Sequence, residues 1–285
     1  MTLTTPRSET DDRPADRPRL RIAIAGLGAI GTALVRRIAA GTLPDATLVA
    51  VAARDKDKAR VTLGPELRQV EVMSIADLPR VADVVVECAP AKVLAEIARP
   101  VLEAGKKVMV LSVGALLGHP ELIDLARKTG GQIIVPSGAL LGLDAVSAAA
   151  EGTIHSVRMV TRKPVKGLLG APYLIENKID IEKFVEPQRV FEGTAREAAN
   201  GFPANLNVAV ALSLAGIGPD KTRLEIWADP HLTRNTHRIV VNSDAATFEM
   251  TIENIPSENP KTGRITALSV IAALRKLTSP LRVGT

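Results

Sequence analysis

Four histidines, His119, His155, His231 and His237, are the side chains in this sequence best suited to move a proton near neutral pH. His119 precedes Pro120 at the expected start of a helix and His155 opens an expected strand, so both read as bystanders. His231 and His237 frame Asp229-Pro-His-Leu-Thr-Arg-Asn-Thr-His237, a polar loop that leads into a strand. Residue type alone does not separate a catalytic histidine from an exposed one. Two further turns carry polar groups beside an expected helix start. In Gly201-Phe-Pro-Ala-Asn-Leu-Asn207, Asn205 is the natural N-cap, whereas the amide of Asn207 falls in the first turn, where helix energetics explain it less well. Asn259-Pro-Lys-Thr-Gly-Arg264 makes a turn and cap before a final helix, and Lys261 and Arg264 there would also hold a carboxylate. No metal-ligand spacing is present. The single cysteine, Cys88, excludes an internal disulfide and a cysteine zinc site, and reads as a small buried apolar residue.

A second kind of chemistry is written nearer the start. The strand Arg21–Ala25 runs directly into Gly26-Leu-Gly-Ala-Ile-Gly31, and a helical pattern begins inside the motif at Ala29 and Ile30. The first glycine permits the tight turn, the second lets backbone approach a pyrophosphate, and the third lets helix and strand pack closely. The helix N-terminus then offers free N–H groups to the phosphates. Strand, motif and helix fall in the order that a dinucleotide site requires. About twenty residues on, a carboxylate would select NAD by bonding the ribose hydroxyls. That position is Ala53, followed by Arg54, which favours room and charge for a 2′-phosphate. Asp55 would still reach the ribose if the strand ended later, so NADP and NAD both stay open, with a lean to NADP.

The elements that must position these groups change character midway. Strands are expected at Arg21–Ala25, Ala46–Ala53, Glu71–Met73, Asp83–Pro90, Lys107–Ser112 and Gln132–Val135. Helices at Ala29–Ala40, Lys56–Leu63, Ala91–Ala104 and Pro120–Thr129 alternate with them. That alternation implies right-handed crossovers, a doubly wound parallel sheet and a ligand crevice at the strands' carboxyl ends. Cys88 and Ala89 lie at one such end and join the cofactor-binding candidates. The second half reads as strands at Ser156–Arg162, Thr222–Ala228, Thr236–Asn242 and Thr247–Glu253, with helices at Ala195–Asn200 and Asn205–Leu214. A Gly- and Pro-bearing connection spans Pro164 to Pro187. The expectation is therefore an α/β chain. A disordered tail (1–19) precedes a Rossmann-type domain (20–140) and an α+β domain on a mixed or antiparallel sheet (141–263). A closing helix over about 264–277 packs back on the first domain.

The apolar fraction of 46% is ample for a core, but aromatics are only 2%, so the core must be aliphatic. The net charge of +5 is scattered and has few aromatics beside it, which argues against nucleic acid and for a small anionic ligand. No apolar run reaches the roughly 18 residues needed to span a membrane, and residues 1–19 lack the apolar stretch of a secretory signal. A cytoplasmic protein is expected. An uncovered antiparallel sheet face would need a partner, which suits a homodimer.

Taken together, the glycine motif, Ser112-Val-Gly-Ala-Leu116, Pro136-Ser-Gly-Ala139, Thr161-Arg-Lys-Pro164, Phe202-Pro-Ala-Asn-Leu-Asn-Val208, Ser213-Leu-Ala-Gly216, Arg234-Asn-Thr-His237 and Asn259–Arg264 resemble the L-aspartate dehydrogenase family. The resemblance runs over about residues 20–280, and the strings around Asn207 and before Arg264 are its most specific parts. Many NAD-preferring relatives carry Asp where this chain has Ala53. The resemblance implies that His237 is catalytic and that Ala139 and Asn207 contact the nicotinamide cofactor. It implies oxidative deamination: hydride leaves Cα, and water activated by His237 converts iminoaspartate to oxaloacetate and ammonia. The reverse reaction, or supply of the imine to pyridine-nucleotide synthesis, is equally implied. A dicarboxylic substrate or its imine needs cations, and Arg162, Lys163, Lys166, Arg234, Lys261 and Arg264 are the candidates. Some of them should pair with acids when the site is empty. Two alternatives stand beside this reading. One is another two-domain reductase, of dihydrodipicolinate reductase or homoserine dehydrogenase type. The other is a non-catalytic NADP-binding sensor.

Overall fold

The computed structural model describes residues 18–203, 206–256 and 263–284. The expected tail, apart from its last two residues, lies outside the described residues, as do Asn205 and Lys261.

The first half builds β1 (Leu20–Ala25), α1 (Ala29–Ala39), β2 (Ala46–Ala52), α2 (Lys56–Leu63), β3 (Glu71–Val72), the one-turn α3 (Leu78–Val81) and β4 (Val84–Glu87). It continues with α4 (Leu94–Glu103), β5 (Lys107–Val110), α5 (Glu121–Thr129) and β6 (Gln132–Ile134). The expected helix from Ala91 opens instead as a tight 3-10 turn over Ala91–Val93. All six strands are parallel in the order β3-β2-β1-β4-β5-β6. The order reverses between β1 and β4, which opens a crevice at their carboxyl ends.

Both faces of this sheet are buried, as a parallel sheet requires. Ile22 and Ile24 face α1, whereas Ala23 and Ala25 face the side covered by α4 and α5.

The second half builds α6 (Leu143–Ala150), β7 (Ile154–Pro164), α7 (Val165–Leu168), α8 (Pro172–Glu176), β8 (Gln188–Thr194), α9 (Ala195–Gly201) and α10 (Asn207–Ala215). Then come β9 (Arg223–Asp229), β10 (Asn235–Ser243), β11 (Thr247–Asn254) and α11 (Ile265–Thr278). The sheet order is β11-β10-β7-β9-β8. Only β7 and β9 run parallel, so the sheet is mixed. Val270, Ile271 and Leu274 of α11 join the cluster formed by Leu34, Val35 and Ile38 of α1.

Sequence pattern missed α6 and β8. In β8 a register shift between Arg189 and Phe191 buries Val190 and Phe191 side by side, which erases the period-two signal. Helix α6 follows a left-handed Gly142 (φ +67°) and half of its residues are Ala, so small side chains hide its apolar stripe.

Helix α10 joins the two halves. Its residues Ala209–Ser213 are all buried. Val210 and Ala211 pack on the first sheet, while Ala209 and Leu212 pack on the second. A helix apolar all round belongs in such a position between layers.

Candidate active site

Strand β1 ends in the glycine turn because only glycine fits two of its positions. Gly26 has φ +103°, and a Cβ there would lie 2.6 Å from the Cys88 carbonyl oxygen. A Cβ on Gly31 would lie 2.0 Å from the Gly26 carbonyl oxygen. At Gly28, by contrast, the nearest atom to an added Cβ is 4.0 Å away, so this backbone faces open space. Gly28 is the N-cap of α1, without a side-chain cap, and the first turn of α1 holds no acid. Free N–H groups and room for close approach fit the pyrophosphate of a dinucleotide.

The turn opens into a cavity of about 1510 Å³ that reaches from Gly26, Gly28, Ala29 and Ile30 to His237. Arg54, Cys88, Ala89, Ala139 and Asn207 also line it. Gly31 packs beneath the turn instead, beside Gly26 and Cys88. Burial pushes the Cys88 thiol well above its ordinary pKa, so it stays a neutral thiol.

Beyond the end of β2, Ala53, Arg54, Asp55, Lys56 and Lys58 line the wall. The Asp55 carboxylate caps α2 by accepting the Lys58 N–H at 2.9 Å. Arg54, Lys56 and Lys58 form no side-chain hydrogen bond or ion pair among the described residues.

At the other end, His237 on β10 is 2% exposed and stands directly opposite Thr161 on β7. The Thr161 Oγ1 lies 2.7 Å from His237 Nδ1. Lys163, two residues further along the same face of β7, is 3% exposed, and its side chain forms no ion pair or hydrogen bond among the described residues. Burial brings its pKa down to about 8. Burial, and then the Lys163 charge, bring that of His237 down to about 3. His237 is therefore a neutral imidazole throughout the physiological range.

Loops from the first sheet close the wall between these ends. The Asn207 Oδ1 accepts the Gly114 N–H at 3.0 Å, tying α10 to the loop after β5. Ser269 Oγ accepts the Gly138 N–H, and Asn254 Nδ2 donates to the Ala139 carbonyl, each at 3.0 Å. These bonds fix the loop that carries Ala139.

Sequence reasoning singled out neither Glu87 and Asn235, which line the cavity, nor Thr161, which bonds His237. Glu87 ends β4, is fully buried, and lines the cavity. Its carboxylate accepts the N–H groups of Ala89 (3.1 Å), Leu111 (3.0 Å) and Ser112 (2.8 Å), and the Ser112 hydroxyl (3.0 Å). Burial pushes its pKa up, against those four donors. The signal for it was a lone carboxylate in the apolar run Val84-Val-Val-Glu87. Thr161 and Asn235 carried none beyond their strings.

Of the six candidate substrate cations, the described residues place only Lys163 on the cavity wall. Arg162 points to the opposite sheet face and lies over Trp227, 5.3 Å from the ring centre. Arg234 pairs with Glu253 at 3.4 Å, while Lys166 and Arg264 are exposed. The expected pairing with acids therefore occurs at Arg234 and not at Lys163.

Comparison with known proteins is specific. A family profile described as "Aspartate dehydrogenase, C-terminal" matches residues 144–277. L-aspartate dehydrogenase 3 of Bordetella bronchiseptica is 60% identical over 95% of this chain and 100% of its own length. The chain belongs to the L-aspartate dehydrogenase family. The family's L-aspartate dehydrogenase from Bradyrhizobium diazoefficiens is also 60% identical, over 93% of this chain and 94% of its own. The crystal structure of aspartate dehydrogenase from Thermotoga maritima superposes with a TM-score of 0.72 at 25% identity, covering 93% of this chain and 100% of that one. Residues 26–136 match a profile described as "Homoserine dehydrogenase, NAD binding domain". That match concerns the nucleotide-binding half alone. The half that carries His237 and Lys163 matches the aspartate dehydrogenase profile, which disfavours the homoserine dehydrogenase and dihydrodipicolinate reductase readings.

Proposed function

We propose that this protein is an NAD(P)-dependent L-aspartate dehydrogenase in which His237 is the catalytic base and Lys163 binds a substrate carboxylate. One observation carries the reading: a single cavity joins the glycine turn to a neutral buried histidine and a buried ammonium that has no partner among the described residues. Bound NAD(P) supplies the hydride acceptor. The residues of this chain do the rest. The Lys163 ammonium, costly to bury alone, gains a counterion when a dicarboxylate enters. That contact fixes the substrate's orientation. Neutral His237 takes a proton from water as the water oxygen bonds to the imine carbon and the C=N electron pair moves to nitrogen. The imidazolium returns that proton to the nitrogen. The C–N bond then breaks as the C=O bond forms and the hydroxyl proton passes to the departing nitrogen, which releases ammonia and oxaloacetate. Ala139 and Asn207 hold the nicotinamide end, and Glu87 stiffens the two loops between which it sits.

At the other end the reading favours NADP. Ala53 leaves room, Asp55 is occupied as a cap, and Arg54 with Lys58 supplies positive charge for a 2′-phosphate. Residues 20–140 serve as the cofactor unit and 141–263 as the substrate unit, with 264–277 returning to the first. A homodimer through the outer face of the second sheet completes the proposal. Val160, Trp227 and Val240 are half-buried there among charged neighbours. The reaction's need for the NAD(P) pool goes with a cytoplasmic location, and no described helix is long and apolar enough to cross a membrane.

The test is to mix the purified protein with L-aspartate and NAD+ or NADP+ at alkaline pH and follow absorbance of the reduced cofactor. Aspartate-dependent reduction is expected. Turnover with a different amino acid or a hydroxy acid, but none with aspartate, would contradict the substrate assignment. Cofactor binding without any turnover would favour a sensor.

A further inference from the structure

We infer that Thr161 is a positioning residue for His237: its hydroxyl oxygen accepts the Nδ1 proton and leaves the Nε2 lone pair free for the cavity. The inference rests on the reading of His237 as the base. Thr161 is fully buried and His237 nearly so, and the two are cross-strand neighbours in the β7–β10 ladder. Their Oγ1···Nδ1 separation is 2.7 Å. A β-branched side chain in a strand has few χ1 choices, so the hydroxyl is held in place. On the far side of His237, the β11 neighbour is Ile252, which offers no competing partner.

The second ring nitrogen is unclaimed by protein. Thr161 is the only hydrogen-bond partner of the His237 ring among the described residues. Asn254 Oδ1 is the only fully buried side-chain nitrogen or oxygen there without a partner. Nε2 is therefore not sealed in protein but opens onto the cavity that His237 lines.

Which nitrogen carries the proton decides what the ring can do. With the proton on Nδ1, Nε2 can take a proton from water while the water oxygen bonds to the imine carbon and the C=N electron pair moves to nitrogen. The imidazolium so formed still donates Nδ1–H to Thr161, which offsets the repulsion from Lys163. With Thr161 donating instead, Nε2 would carry the proton and no lone pair would face the water.

Nitrogen-15 NMR of histidine-labelled protein at about pH 8 reads the tautomer directly, and a His237→Asn sample assigns the resonances. The expected wild-type pattern is a protonated Nδ1 and an unprotonated Nε2. In Thr161→Val, of nearly equal volume, the proton is expected to redistribute toward Nε2. Its kcat/KM for L-aspartate should fall about 10- to 100-fold, with NADP+ affinity changed less than about twofold. Thr161→Ser, which restores the oxygen, should recover the wild-type tautomer and most of the rate. An Nε2-protonated wild-type ring, or a Thr161→Val enzyme with unchanged tautomer and rate, overturns the inference alone. A fully active His237→Ala enzyme overturns the base assignment and this inference with it.

Discussion

His237 sits where a charge would be expensive. Its pKa of about 3 follows from burial beside the Lys163 ammonium, so the ring begins every turnover neutral and able to accept a proton. In the proposed mechanism Lys163 does the complementary work of holding an anion. Replacing it by Gln should raise KM for L-aspartate about 10- to 100-fold with a smaller change in kcat, because the lost contact exists before as well as during the reaction. Steady-state kinetics over a range of aspartate concentrations would check this; an unchanged KM would return the substrate cation to the other candidates. At the far end of the cavity, Ala53→Asp places a carboxylate at the end of β2. It should lower the NADP+ to NAD+ ratio of kcat/KM by about 10-fold or more through repulsion of the 2′-phosphate. Competing rates with the two cofactors measure that ratio. Spacing alone set the glycines apart, whereas the roles expected of His237 and Asn207 came from the family resemblance of the strings that hold them. The sequence did not separate Lys163 from Arg162. Adjacent residues on a strand face opposite ways, and only knowing which face is inward tells them apart.

At the level of elements, the site depends on how closely α1 approaches β1 and on how α9 and α10 are launched. Gly31→Ala would drive a methyl group into the Gly26 carbonyl, so the turn must shift. Loss of most dinucleotide affinity, measured by titration calorimetry, is the expected result. Helix α9 begins with a capping box in which Thr194 accepts the Glu197 N–H at 3.2 Å and Glu197 accepts the Thr194 N–H at 2.7 Å. Thr194→Ala should cost about 1 kcal/mol of stability, read from denaturant unfolding, and leave kcat near its wild-type value. The parallel sheet was legible because strands and helices alternate over more than a hundred residues. Strand β8 was not, since its bulge breaks the alternation on which strand recognition depends. The role of α10 as a link between layers also escaped the sequence. An apolar helix looks the same whether one core or two surround it.

For the whole molecule, two sheets of different grammar meet at one cavity, with the glycine turn contributed by the first and His237 and Lys163 by the second. Neutral burial of His237 also couples folding to pH. Its folded pKa lies below the ordinary value of 6.5, so the unfolded chain binds a proton that the folded chain refuses between about pH 6.5 and pH 3. Stability from this residue is present above pH 6.5 and is lost as pH falls through that window, by up to about 1.4 kcal/mol per pH unit. Urea unfolding of wild type and His237→Gln at several pH values should show a flatter dependence in the variant. The measurement that most directly tests the account is the rate of L-aspartate-dependent NADP+ reduction by wild type and His237→Ala, taken with NADP+ affinity for both. The account predicts turnover in the wild type, a fall of about 100-fold or more in the variant, and near-equal cofactor affinity. Full activity in the variant, or no aspartate turnover by the wild type, would contradict it.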